Sequence, residues 1–559
     1  MNSIKGQYTF MLETLTTVVR PSDEGLDVYC ATQWMEGVHL MISRALGMDQ
    51  NRIDVHIRLV GGAYGIKLSR GIQGAIAASL VVKKLNRPCR IVQSLTSNTR
   101  VIGKRIPCIT EFEAGVNNSG TIQYINYNIY QDVGYMVNGQ LVNLLGIGQY
   151  NNAYNRSRWN YKSLDSVTDT AKNTWVRAPG TLEHVAMAEL VMEQTSYEMD
   201  LDPLDVRLAN LDVAYASEMK EMLDNVIIKS DYVRRREYVN KFNCENRWKK
   251  RGLRFSLLRW TPVGGLNFYV NISVYRGDGS IAITHGGIEM GQGINTKAAQ
   301  VAAYMLKIPI DKIVVKGNNT VVAPNASLSG GSVVNQNVIV GVRRACQQLL
   351  DRLRPIREQM DDPTWEELII KAYNDNVDLQ AHGFTRTDEE YPFVVYGVTL
   401  AEVELDVLTG QCNLLRVDLC EDVGQSVSPE IDIGQVEGAF VMGLGYWTSE
   451  NLVYAPTGEL LTDRTWNYHP PIARDIPQDW RVYFRKNSFS ADIIFGSKCV
   501  GEPPICMAVA VPFALREAIT AARLESGIPK TEWYQEDGPY TVERNALLCS
   551  TNTADFKFY

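Results

Sequence analysis

The sequence predicts an α+β protein of more than one domain, on three observations. Segments with the two-residue alternation of a strand interleave with apolar-periodic helical segments along the chain. Hairpin signatures, two alternating runs around a glycine turn, gather in the second half. At 559 residues, 45% hydrophobic and 21% charged, the chain is long and apolar enough for two to four ordinary domains.

In order, residues 1–30 alternate as β structure and 33–46 carry a helical period (Met35, Val38, Met41, Ile42, Ala45). A strand at 55–60 runs into a glycine-rich turn, 61–67, then a helix at 71–84. Strands return at 89–92 and 122–130. The stretch 151–174 is polar and aromatic without a clear period and reads as a long loop. Helices follow at 182–200 and 203–211, and 217–250 is a charged helical connection. A hairpin, 267–275 with 280–284, turns through Arg276-Gly-Asp-Gly279; a tight turn accounts for that Arg-Gly-Asp. Helices at 295–305 and 338–353, a hairpin of 396–407 with 413–419, and a helix at 436–447 complete the pattern. A last apolar helix at 505–522 follows Glu502, and the segment beyond Ser526 reads as a polar, peripheral tail.

The net charge of −7 lacks the basic footprint of a nucleic-acid binder. The one basic concentration, Arg234 to Arg236 with Lys249 to Arg251, reads as a solvated helical face. Ten scattered cysteines form no C-x-x-C pair and six histidines no H-x-x-x-H pair, so a protein-ligated metal or cluster is not expected. A cysteine-dilute chain without a signal peptide fits a reducing cytosol. No apolar run reads as long enough to span a membrane. Residues 1–7 lead straight into patterned sequence, as the middle of a larger polypeptide would.

Five turns share one construction: 61–67, 286–293, 329–334, 432–435 and 499–502. Each is rich in glycine or small polar residues and feeds the start of a largely apolar helix. Helix N-termini offer free N–H groups and partial positive charge to anions. Glycine admits close backbone approach. Gln292 and Gln435 add uncharged donors and acceptors. Converging, such turns would cradle a large polar anionic cofactor; none matches a P-loop or G-x-G-x-x-G. Glu502, between Gly501 and Pro503-Pro504, stands at a stiffened helix mouth. Locally it reads as a helix cap or as a positioned general base.

Several of these stretches together, Gly287 to Lys297, Gly397 to Gly410, Ile431 to Gly445 and Ser497 to Pro504, resemble the molybdenum-binding region of the xanthine dehydrogenase / aldehyde oxidase family. The resemblance runs from about Gly6 to about Ala522. It implies two elongated mixed α/β molybdopterin-binding domains packed face to face with the cofactor at their interface. They would occupy 1–250 (truncated at its N-terminus) and 251–525 (carrying Glu502), with 526–559 as the tail.

The cofactor implied is molybdopterin with an oxo, sulfido and hydroxide molybdenum that no side chain ligates. Gln7 would then hydrogen-bond near the oxo group, Ala63 and Tyr64 would line the molybdenum, and Arg177 would face its pocket. Met290, Gly291 and Gln292 would hold the pterin. Gly331, Ser332, Val333 and Val334 would bind its phosphate side, and Gln435 and Val500 would touch the cofactor. Glu502 becomes the base that deprotonates the hydroxide before hydride passes to the sulfido ligand, and its pKa is expected to be raised.

Leu68 and Leu145 stand where purine oxidisers of the family carry polar anchors, and Pro179 where an aromatic ring is usual. The reading is therefore a homodimeric, cytoplasmic aldehyde oxidase acting on small aldehydes and N-heterocycles, with xanthine dehydrogenase or a non-catalytic relic as alternatives. The 2Fe-2S clusters and FAD of the family belong to a full-length protein and would not be bound by this chain. Ile66 replaces a glycine usual in the first turn and would strain any position of positive φ there.

Overall fold

The computed structural model describes residues 2–136, 146–262, 264–389, 393–486, 488, 496–535 and 538–556. Four sheets organise these residues. In chain order the strands are β1 (Asn2–Ile4), β2 (Thr16–Pro21), β3 (Leu26–Cys30), β4 (Ile53–Ile57), β5 (Cys89–Val92), β6 (Cys108–Val116), β7 (Ile122–Gly134) and β8 (Trp159–Val167). They continue with β9 (Lys249–Trp260), β10 (Phe268–Val274), β11 (Ile281–His285), β12 (Ile313–Val315), β13 (Asn318–Asn319), β14 (Gln380–Thr385), β15 (Val395–Asp406), β16 (Cys412–Glu421) and β17 (Asp479–Phe484). The sheet orders are β1-β6-β7-β8, β13-β4-β3-β2-β5, β12-β11-β10-β14 and β17-β16-β15-β9.

The mixed α/β expectation holds, and the reason is visible strand by strand. β15 is buried on both faces over most of its length, which is why it reads as a continuous apolar run. Helix Ala510–Glu525 packs against β15 and β9, and helix Ala216–Lys229 also packs against β15. In the neighbouring sheet, helix Val334–Arg357 lies on β14 and β10. There a Cβ on Gly383 would sit 1.9 Å from the Gly341 carbonyl oxygen, so the helix backbone rests directly on the strand. The β13-β4-β3-β2-β5 sheet is completed from far along the chain: β13 pairs with β4 through Asn318–Ile57 and Asn319–His56.

Several expectations change. Residues 151–174 are not a structureless loop, because β8 pairs parallel to β7 from Ile125–Trp159 onward. Only Trp159 in that strand is buried, so an edge strand with polar residues on both faces gives little alternation to read. The helix expected from 436 begins at Pro429, with Glu430 and Asp432 in its first turn. Gln435 thus sits inside the helix, not at its mouth. Helix Val334–Arg357 likewise begins at the glycine turn itself.

The apolar segment behind Glu502 divides into Pro503–Met507 and Ala510–Glu525. Pro512 has no N–H to return to Ala508 and loosens the turn between the two pieces. Contrary to the sequence reading, 503–525 is long and apolar enough to cross a membrane, at 23 residues, but it is 89% buried inside the protein. The basic stretch is no solvated face either. Arg235 donates to Glu402 and Asp418 at 2.8 Å each, Arg236 pairs with Glu517, and Arg251 with Glu402 and Glu404. The tail sends Tyr540, Asn545 and Cys549 into the core and stacks Trp533 and Tyr534 on Arg516.

Candidate functional site

Four of the glycine-rich turns and the helix that takes in the fifth expected turn, Pro429–Thr448, meet around one cavity of about 520 Å³. Its wall takes Ala63, Tyr64 and Gly65 from the first turn and Met290, Gly291 and Gln292 from the second. The third contributes Ser329 to Val334, the helix from Pro429 contributes Asp432, Gly434 and Gln435, and the last turn Val500, Gly501 and Glu502. Leu68, Arg177 and Pro179 also line it. Leu145 lies outside the described residues.

Arg177 ties the turns together. Its backbone N–H donates to the Tyr64 carbonyl (2.9 Å), Nε to the Gly501 carbonyl (2.5 Å), and Nη2 to the Gln435 carbonyl (3.1 Å) and side-chain oxygen (3.3 Å). Bonds to a charged donor are worth about 1.5–3 kcal/mol each, so this fork is a strong clamp. The approach is close at Gly501: a Cβ there would lie 3.0 Å from Ser332 Oγ and 3.5 Å from Gln435 Oε1. Backbone strain gathers at the same place. Tyr64, Ala178 and Ser332, none of them glycine, hold φ of 53°, 57° and 56°. Such conformations persist where the surroundings over-determine them and cluster at functional sites.

Two of the turns play different parts. In the second, Glu289 accepts from the N–H groups of Gly291, Gly293 and Asn295, and Gln292 Oε1 accepts from Met290 N–H. That helix mouth is satisfied from within and offers little to an anion. The third is open. Gly331 (φ 69°) and Ser332 (φ 56°) form a concave run of backbone ahead of helix Val334–Arg357, whose first N–H groups have no intrahelical partner. The anion-binding capacity foreseen for all five turns therefore concentrates at Gly331 to Val334.

Glu502 stands at the N-cap position of the short helix Pro503–Met507, makes no side-chain capping hydrogen bond there, and lines the cavity. Burial raises its pKa; the Ala178 N–H, Arg177 and Arg105 offset this only in part. The raised value expected of a base is present. Burial also lowers Arg177, against the field of Tyr64, Glu502 and Glu421.

Two further expectations are corrected. Gln7 does not line the cavity: its amide donates to Met442 O (2.9 Å) and Glu450 Oε1 (3.0 Å) and accepts from Arg105 Nε (3.1 Å). Both amide hydrogens are spent inside the wall. Ile66 is not strained beside a ligand. It opens a short 3₁₀ turn and is buried with Tyr8, Met11 and Val176, while Gly62, Tyr64 and Gly65 carry the positive φ.

Residues not foreseen complete the wall. Gln33 stitches two turns, accepting from Gly65 N–H (2.9 Å) and donating to Ser329 O (2.8 Å). Trp175 and Trp260 give it aromatic surface. Lys297 and Lys498 reach it already paired, to Asp432 and Asp422, both at 2.6 Å. Both lysines lay inside stretches the resemblance singled out, whereas nothing local marked Gln33 or Trp175.

The residues suit a molybdopterin. The open N–H run would suit a phosphate, and Gly434, with open space where a Cβ would stand, would let a flat ring system approach its backbone closely. The side-chain oxygens of Asn335 and Gln336, on residues lining the cavity, have no hydrogen-bond partner among the described residues and fit a ligand rich in N–H groups. The one group of possible metal-ligating side chains among the described residues, Asp27, Asp54 and His56, lies outside the cavity wall.

Two family models match, both described as molybdopterin cofactor-binding domains, over residues 2–211 and 225–477. Bovine (Bos taurus) aldehyde oxidase 1 is 33% identical over 97% of this chain and 42% of its own length. The xanthine dehydrogenase/oxidase of Rattus norvegicus is 33% identical over 98% of the chain and 43% of its own length. The chain thus spans less than half the length of these relatives. Among solved structures, quinoline 2-oxidoreductase from Pseudomonas putida 86 superposes with a TM-score of 0.86 at 18% identity, covering 98% of this chain and 75% of that one. Aldehyde oxidoreductase from Desulfovibrio gigas gives 0.82 at 20% identity, covering 98% and 61%. Two successive matches of one description, laid along a fold that closes both around one cavity, settle the family: this chain belongs to the molybdopterin cofactor-binding domains of the xanthine dehydrogenase / aldehyde oxidase type.

Proposed function

We propose that this chain is the molybdopterin-binding part of a hydroxylase that oxidises aldehydes to carboxylic acids, taking the oxygen from water. The observation that carries this reading is the convergence of four glycine-rich turns and helix Pro429–Thr448 on one cavity with Glu502 in its wall. When bound, the molybdopterin supplies a two-electron acceptor. The chain supplies the rest. Gly331 to Val334 hold the phosphate end, while Gln435 and the Met290 to Gln292 turn flank the ring system. Glu502 accepts a proton at its carboxylate as the oxygen nucleophile forms. A carboxyl with a raised pKa, poorly solvated, is suited to that transfer near neutral pH. Arg177 keeps the Glu502 turn and the Gln435 helix in register.

Leu68, Pro179, Trp175 and Trp260 make one side of the cavity apolar and aromatic. A surface without buried hydrogen-bonding anchors accepts apolar and aromatic aldehydes and discriminates weakly among them. The same surface disfavours xanthine, whose polar edges would go unpaired. The electrons leave through 2Fe-2S clusters and FAD that this chain does not bind. A cytoplasmic homodimer is part of the proposal and rests on the family resemblance; light scattering of the purified protein tests the dimer.

Cofactor-loaded protein is expected to contain near-stoichiometric molybdenum and to be reduced in a single turnover by benzaldehyde, much less by xanthine. Glu502→Gln should keep the molybdenum and lose the reduction by at least about a hundredfold, the usual worth of a positioned base. Folded protein that takes up no molybdenum would sink the enzyme reading, and a Glu502→Gln rate near wild type would remove Glu502 from the chemistry.

A further inference from the structure

Behind the cavity wall lies a second buried carboxyl that the reading above leaves unused. Glu450, 4% exposed, shares its carboxyl between Gln7 Nε2 (3.0 Å) and the Tyr468 hydroxyl (2.5 Å). Gln7 in turn accepts from Arg105 Nε (3.1 Å). Arg105, 1% exposed, donates Nη1 to the Val176 carbonyl (3.1 Å) and Nη2 to the Arg177 carbonyl (3.0 Å). An unbroken chain of hydrogen bonds therefore runs from Glu450 to the backbone that carries Arg177 into the cavity. No room for adjustment remains at its far end, since a Cβ on Gly445 would fall 2.2 Å from Glu450 Oε1.

We propose that Glu450 is a positioning residue of the cavity: its carboxyl holds the Gln7 amide against Arg105, and Arg105 holds the carbonyls that aim the Arg177 guanidinium. The proposal rests on the hydroxylase reading only for what Arg177 serves; the geometry itself belongs to the chain.

The network has two proton arrangements. In one, Tyr468 donates to an ionised Glu450. In the other, Glu450 is protonated and donates to the Tyr468 oxygen, and the Tyr468 proton turns to the Tyr8 carbonyl at 3.0 Å. Tyr8 N–H donates to the Tyr468 oxygen at 2.9 Å and serves both. Burial pushes Glu450 up to about 7, with Tyr468, Gln7 and Arg105 pulling down, so the two arrangements exchange near neutrality. The other charged or titratable groups facing the network are Lys104 over the Tyr8 ring, Glu183 at 3.5 Å from Arg105, Tyr446 beneath the Arg105 guanidinium, and Glu502 and Cys506, which both feel the Arg105 charge. Burial lowers Lys104 to about 8, so its charge also fades above the window in which Glu450 titrates. Ionised Glu450 draws Gln7 and Arg105 together; protonation relaxes that pull, and the segment carrying Val176 and Arg177 loosens.

Amide hydrogen exchange of peptides spanning 174–182, corrected for its intrinsic base dependence, tests this on the full chain with or without cofactor. Protection in the wild type is expected to fall several-fold as pH drops through about 7. Glu450→Gln, which keeps the shape but does not titrate, should show no transition there. Tyr468→Phe, which loses one bond favouring the ionised form, should move the midpoint upward. An unchanged transition in Glu450→Gln, or no upward move in Tyr468→Phe, overturns the proposal. Glu502→Gln should retain the transition; if it abolishes it, Glu502 and not Glu450 is the titrating group, which overturns the proposal equally. Molybdenum content and benzaldehyde reduction report separately on the hydroxylase reading, so either idea can fail while the other stands.

Discussion

Arg177 shows how much of this site depends on geometry rather than charge. Its Nε and Nη2 reach carbonyls of two different elements, a fork that lysine cannot reproduce. Arg177→Lys is expected to cost about 2 kcal/mol in denaturant unfolding and to lower the molybdenum retained, with the fold preserved by circular dichroism. Gly501→Ala asks a smaller question. The added methyl meets Ser332 Oγ at 3.0 Å, so that hydroxyl must move by a few tenths of an ångström. Stability should change by less than about 1.5 kcal/mol, yet cofactor content should fall, because the shift falls on the turn offered to the phosphate. Wild-type cofactor content in Gly501→Ala would show that the close approach of these two turns is not needed for binding.

At the scale of elements, the ion pairs that pin helix Ala510–Glu525 make a pH-dependent prediction. Glu517 accepts from Arg254 (2.5 Å), Arg236 (2.5 Å) and the Leu253 N–H (2.7 Å). Burial would raise this carboxyl, but Arg254 and Arg236 outweigh it and hold the pKa at about 2. A carboxylate depressed in the folded state stabilises fully above its unfolded value, near 4.3, and loses that contribution as pH falls toward 2. The full loss, about 3 kcal/mol, is reached only as pH falls below the folded value of about 2; a little over half of it should be read as a drop in urea midpoint between near-neutral pH and about pH 3. Glu517→Gln should flatten that part of the profile and be less stable at neutral pH, since Arg236 loses its carboxylate partner and Arg254 keeps only Glu193.

The same scale shows what the sequence made legible. Helices with a strong one-sided period, such as Met35–Leu46 and Arg70–Leu85, were placed within two residues. Four of the five expected turns were found because glycine and small polar residues mark them wherever they fall. Edge strand β8 was missed because neither of its faces is consistently buried. The early start of helix Pro429–Thr448 was missed because Gly434 and Gln435 look like punctuation; in the fold that glycine gives the helix a bare face toward the cavity. Gln33 and Arg105 carry no local signal, since their importance lies in contacts 296 and 98 residues away.

The whole molecule is cross-linked in a way that two family models laid end to end do not suggest. β13 completes a sheet begun at β2 to β4, and Val55 N–H donates to Thr320 Oγ1 (3.0 Å) beside that pairing. Gln7 reaches Met442 and Glu450, and Tyr8 exchanges bonds with Tyr468. The cofactor-free chain is therefore expected to unfold in one calorimetric transition, with the van't Hoff and calorimetric enthalpies in agreement. Two resolved transitions would mean that these long-range ties are weaker than the packing within each half. The spread of the four turns, from residue 61 to residue 502, also has a temporal meaning. A ribosome must have released about nine-tenths of this chain before Glu502 can reach Arg177. Partial products can build sheets, but none can present a closed receptacle. Cofactor loading is in this sense a certificate of completed synthesis, and a chain stopped anywhere short of the last turn would be refused its metal however well its earlier sheets had folded.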